Sequence, residues 1–67
     1  MNEQEFNKTM EQIIASIQSG GYEPYDQLYG YVTTGEEHYI TRTGNALAII
    51  KTLDPLQVKS DVFRMKR

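Results

Sequence analysis

Phe6, Met10, Ile13, Ile14 and Ile17 lie at i, i+4, i+7, i+8 and i+11. That spacing draws one apolar stripe along a helix of 3.6 residues per turn and matches no face of a strand. Asn2, with Glu5 three positions later, has the form of a capping box, and Ser19-Gly20-Gly21 offers the left-handed stop on which helices end. The spacing predicts a helix over residues 3–18. An oily stripe of this length needs a cover, and the remaining sequence must provide it.

The cover is written in the same period. Pro24 suits the first turn of a second helix, where its missing N–H costs nothing. Tyr25, Leu28, Tyr29 and Val32 then repeat at i, i+3, i+4 and i+7, and Gly35 closes the segment. Tyr25, Leu28, Tyr29 and Val32 are therefore the core candidates of this helix, while Tyr31 flanks the stripe. Gly30 is a poor helix-interior residue, about 1 kcal/mol worse than alanine; admitting a neighbouring backbone is its expected role. Residues 35–43 read as a connection. Thr43 is placed to cap a third helix carrying Ala46, Leu47, Ile49, Ile50 and Leu53. Asp54-Pro55-Leu56-Gln57 is a compact start signal for a fourth, with Leu56, Val58, Val62 and Phe63 along it and a basic end at residues 64–67. The third and fourth helices follow with almost no loop and are expected to meet steeply. The predicted fold class is all-α: a compact bundle of about four short helices with helix-turn-helix-like corners, in one domain spanning residues 1–67.

Size and charge narrow the function. A chain of 67 residues buries only about 60% of the surface its unfolded form exposes, so its core is thin and a staple is expected. Cysteine is absent and His38 is the sole histidine, which removes disulfides and thiolate ligands and leaves no metal set at a telling spacing. Self-association is the staple that remains, so a homodimer is expected. Residues 1–37 hold seven acids against Lys8 alone, and residues 38–67 hold six bases against Asp54 and Asp61. The net charge of −2 argues against holding nucleic acid by bulk electrostatics. A DNA-reading helix-turn-helix is nevertheless the alternative reading, with Gln57, Lys59 and Arg64 on the fourth helix as its candidates. No apolar run approaches the roughly 18 residues of a membrane span, and the polar, acidic first residues are unlike a signal peptide; the expected location is the cytoplasm.

Chemistry is mostly excluded. The serines have no histidine or lysine partner at a spacing that suggests a nucleophile. Glu36-Glu37-His38 are neighbours in a connection, where an acid–base pair is poorly fixed. The glycines match neither GxGxxG nor a phosphate loop. No catalytic residue and no cofactor is expected.

The run Gly21 to Tyr31, GYEPYDQLYGY, holds four of the five tyrosines, and core, partner surface and ligand site all compete for them. Gly21-Tyr22-x-Pro24-x-x-Gln27-x-x-Gly30-Tyr31, then Gly35, then Tyr39-Ile40-x-Arg42 and Ala46, resembles the central signature of the IreB family of small regulatory phosphoproteins. The resemblance runs without gaps over about residues 20–53. It implies a helical, non-enzymatic cytoplasmic regulator of Gram-positive bacteria, usually dimeric, that binds other proteins downstream of a membrane-anchored Ser/Thr kinase in cell-wall control. Family phosphoacceptor threonines precede the first helix. Here that helix begins almost at once and Thr9 falls inside it, so a divergent member without the arm is expected. The family's arginine-rich stretch after the signature keeps Arg42 and a charge at Lys51 and loses it at Leu47 and Thr52. Tyr22, Gly30, Tyr31, Tyr39, Arg42 and Lys51 are the residues expected at a partner or dimer contact.

Overall fold

The computed structural model describes residues 2–65. Four helices follow in order: α1 (Glu3–Ser19), α2 (Pro24–Thr34), α3 (Ala46–Ile50) and α4 (Pro55–Met65), with 3-10 turns at Glu37–Tyr39 and Thr43–Asn45 between α2 and α3. No strand occurs among the described residues, and the all-α expectation is met.

Local chemistry sets the helix ends. At the start of α1 the Glu5 N–H donates to Asn2 Oδ1 at 2.8 Å, and the Asn2 N–H donates to Glu5 Oε1 at 3.2 Å, which completes the capping box. Two donors that the helix leaves orphaned are thereby satisfied. At the far end Gly21 turns left-handed at φ 85°. Its N–H donates to the Gln18 carbonyl at 2.9 Å and that of Tyr22 to the Ile17 carbonyl at 3.2 Å. This pair of bonds is the Schellman motif, and it needs a residue without a Cβ penalty at Gly21. Helix α2 starts on Pro24 behind Glu23, whose carboxylate accepts from the Asp26 N–H at 3.0 Å. Helix α4 starts on Pro55 behind Asp54, whose Oδ1 accepts from the Leu56 N–H at 2.9 Å. Asn2→Ala should destabilise the fold by about 1 kcal/mol. In a domain of this size that lowers the thermal midpoint by roughly 4–8 °C, read by circular dichroism; an unchanged midpoint would show that the box contributes nothing.

The helices pack in two pairs, α1 on α3 with its preceding 3-10 turn, and α2 on α4. Phe6, Met10, Ile13 and Ile17 of α1 are buried against Ala46 and Ile50 of α3, Leu28 of α2, Val58 and Val62 of α4, and Ile40 and Leu53 of the connections. The stripe of α1 is covered as its period requires, with Ile14 half-buried at its edge.

The structure corrects three expectations on the fold. Tyr29 is not a core residue: it lies 100° round α2 from the fully buried Leu28, on the outer side, and is exposed. Tyr25 and Val32 are partly buried against the core. Thr43 does not cap α3. Gly44 and Asn45 both adopt left-handed backbone, at φ 59° and 64°, and delay the helix to Ala46. The Thr43 hydroxyl pairs instead with that of Thr41 at 2.9 Å. Helix α3 is consequently a short element of five residues, and Leu53 reaches the core from beyond it. On α4, Val58 and Val62 are buried while Leu56 and Phe63 face outward. Of the expected basic end, Arg64 is paired with Asp61 at 3.0 Å, and Lys66 and Arg67 lie outside the described residues.

Candidate functional site

Residues 36–42 form a strap that doubles back along α2. The reversal begins at the end of the helix, where Gly35 is left-handed and donates to the Tyr31 carbonyl at 2.8 Å. The Thr34 hydroxyl donates to the Gly30 carbonyl at 2.7 Å and accepts from the Glu36 N–H at 3.1 Å, so one side chain both ends α2 and starts the return. The 3-10 turn then lays the Tyr39 ring on Gly30. A Cβ on Gly30 would stand 2.5 Å from ring Cδ1 and 2.8 Å from Cγ, inside any permitted carbon–carbon contact. The glycine is a flat seat for an aromatic ring; the expected neighbouring backbone is not what it admits.

Beyond the seat, Ile40 enters the core. The Thr41 N–H donates to Gln27 Oε1 at 2.8 Å in a partly buried position. The strap is thus bound to α2 by a ring on a glycine, a buried isoleucine and a side-chain amide that satisfies a backbone donor no helix serves. Its outer side is charged and wet. His38 stacks on Tyr39 with ring centroids 4.4 Å apart and meets Glu36 at 3.2 Å. Lys51 reaches Glu37 at 3.2 Å, with about half of each side chain exposed, and solvent limits such a pair to at most about 1 kcal/mol.

The expected contact residues divide over this geometry. Gly30 and Tyr39 are brought together, and the open side of Gly30 is taken within the chain. Lys51 is held at the strap's acidic corner, and Arg42 is exposed at the strap's end, with no ion pair among the described residues. Tyr31 is half-buried against the core. Tyr22 stands apart at the α1 stop, where its ring lies 3.1 Å from the position of a Cβ on Gly20. Thr9 is part of α1, its hydroxyl donating to the Glu5 carbonyl at 2.9 Å. Tyr22, Tyr39, Arg42 and Lys51 are exposed, and Gly30 and Tyr31 are partly buried.

A second surface went unread in the sequence. Tyr25 and Tyr29 of α2 have ring centroids 5.5 Å apart, and Tyr29 lies 6.0 Å from Phe63 of α4. Lys59 Nζ stands 5.8 Å over the Phe63 ring. Helical geometry could have found it, because Phe63 lies about 140° round α4 from Val58 and Leu56 about 160°. No group of three or more His, Cys, Asp or Glu able to hold a metal ion occurs among the described residues. None of their helices is long and apolar enough to cross a membrane.

The residues that build the strap are those of the resemblance: Pro24 at the helix start, Gln27 on Thr41, Gly30 under Tyr39, Gly35 at the reversal, Ile40 in the core. A signature that looks like a list of unrelated positions is one clasp in three dimensions. The family model described as IreB regulatory phosphoprotein matches residues 1–65, which takes in α1 and α4 on either side of that clasp. With nearly the whole chain matched and the clasp in place, the chain belongs to the IreB family of regulatory phosphoproteins.

Proposed function

We propose that this chain is a non-enzymatic regulator that works by binding other proteins in the cytoplasm of a Gram-positive bacterium, as a homodimer, downstream of a Ser/Thr kinase in cell-wall control. The observation that carries the reading is the family match over residues 1–65. Its functional end is the strap's outer side, where Tyr39, Arg42 and Lys51 offer a ring and two cations on a segment fixed to α2 and α3. A prefixed surface of this kind loses little conformational entropy when a partner arrives. A DNA-binding reading finds less support. Helix α3 has five residues, too few to present three or four side chains along a groove. On α4, Lys59 and Arg64 lie about 140° apart, one over Phe63 and the other paired with Asp61.

Cross-linking in cells of the native host tests the reading. The tagged wild-type chain is expected to retain a small set of proteins that the Arg42→Glu/Lys51→Glu variant loses, at equal expression. Recovery of duplex DNA in place of protein, or an identical set from both chains, would overturn it.

A further inference from the structure

We infer that Thr34, where α2 ends and the strap begins, is a phosphorylation site whose modification by a Ser/Thr kinase loosens the strap from α2. The inference rests on the kinase of the proposed function and adds an acceptor and its effect on the binding face. The position is separate from the family acceptors, which precede the first helix.

Three observations carry it. The first is access. Residues 33–39 are exposed without a break, the longest such run among the described residues, and Gly35 and Glu36 near its centre belong to no helix. Modifying enzymes enter a fold at exposed chain that opens cheaply, as turns do and helix interiors do not. Thr9, Ser16, Thr41 and Thr43 are half-buried, and Ser60 lies inside α4.

The second is what the hydroxyl holds. Thr34 Oγ1 donates to the Gly30 carbonyl and accepts from the Glu36 N–H, so it joins the helix to the strap at the glycine on which Tyr39 sits. Ser19 and Thr52 are exposed as well, but each donates to a carbonyl three residues back in its own turn. In the transfer, Thr34 Oγ1 attacks the γ-phosphorus of ATP, the bond to ADP breaks, and the hydroxyl proton passes to the kinase's catalytic base. The ester oxygen that results has no proton to donate, and the Gly30 carbonyl loses that bond.

The third is charge. Phosphothreonine carries about −1.5 to −2 at neutral pH. It would stand at the C-terminus of α2, where negative charge is unfavourable, with Glu36 and Glu37 two and three residues on. Lys51, the cation at this corner, is engaged by Glu37 at 3.2 Å. One modification thus removes a bond that ties the strap down and adds repulsion where the strap leaves the helix.

The test treats the full chain with ATP and the cytoplasmic domain of a Ser/Thr kinase of the native host, then locates the phosphate by mass spectrometry. Phosphate is expected on Thr34 and absent from Thr34→Val. Amide hydrogen exchange reads the switch at Thr41, whose N–H is held by Gln27. In the modified chain this amide should exchange about 10-fold faster, the equivalent of one lost hydrogen bond and one adverse charge at a helix end. Thr34→Glu should move it in the same direction with no kinase present, while the Ile13 amide in α1 stays protected. Phosphate confined to other hydroxyls would overturn the inference and spare the kinase reading. A chain that takes no phosphate would overturn both. Unchanged exchange at Thr41 in the modified chain would overturn the switch.

Discussion

Leu28→Ala is expected to remove about half of the stability of this fold. Leu28 is completely buried where α2 meets the stripe of α1, and truncating such a leucine costs about 2–5 kcal/mol because the cavity closes only in part. The whole domain has roughly 3–10 kcal/mol to lose at the usual stability per residue. One side chain thus holds a large fraction of the total. Urea denaturation followed by circular dichroism measures it, and a loss below 1 kcal/mol would mean that α2 is not packed as described. Thr33→Ala on the exposed side of the same helix is the control, with little change expected.

The second large effect should reverse sign with its background. Alanine in place of a helix-interior glycine ordinarily stabilises by about 1 kcal/mol. At Gly30 the new methyl meets the Tyr39 ring near its base, and the strap has to lift to accommodate it. Gly30→Ala alone should therefore destabilise, by about 1–2 kcal/mol once the lost ring packing outweighs the propensity gain. With Tyr39→Ala already present the obstacle is gone, and the same change should stabilise. The coupling between the two sites should be about 2 kcal/mol, within the range for residues in direct contact. A stabilising Gly30→Ala in the wild-type background would show that the ring does not sit where the strap places it.

The contrast between these two positions shows what the sequence could reveal. Leu28 was legible because an aliphatic side chain on an apolar stripe has no polar tip to keep in water. The capping box at Asn2, the start at Pro24 and the start at Asp54-Pro55 were legible because each is decided within four residues. Tyr29 was misplaced because a stripe has two edges, and only the neighbouring helix decides which of them is covered. Here α4 brings the Phe63 ring to 6.0 Å from that of Tyr29, and Tyr29 stays 45% exposed. Gly30 was half-read. Its poor helix propensity signalled a close approach, but the visitor comes from nine residues away around a turn that no local rule predicts. Thr43 failed as a cap because Gly44 and Asn45 took left-handed backbone, with Gly44 set against Ser16 of α1, where a Cβ would meet the serine oxygen at 2.5 Å. At Leu56 and Phe63 the angle from Val58 already pointed outward; what stayed hidden was that Tyr29 would meet Phe63 across the two helices.

The order of helix partners has a last consequence. Because α1 pairs with α3 and α2 with α4, the pairs interleave along the chain like links, and any single backbone cut separates at least one helix from its mate. A neighbouring-hairpin arrangement would have split into two self-sufficient halves. This molecule has no such seam: a protease that enters one connection should release fragments poorer than half a protein, and heat should melt all four helices in a single step.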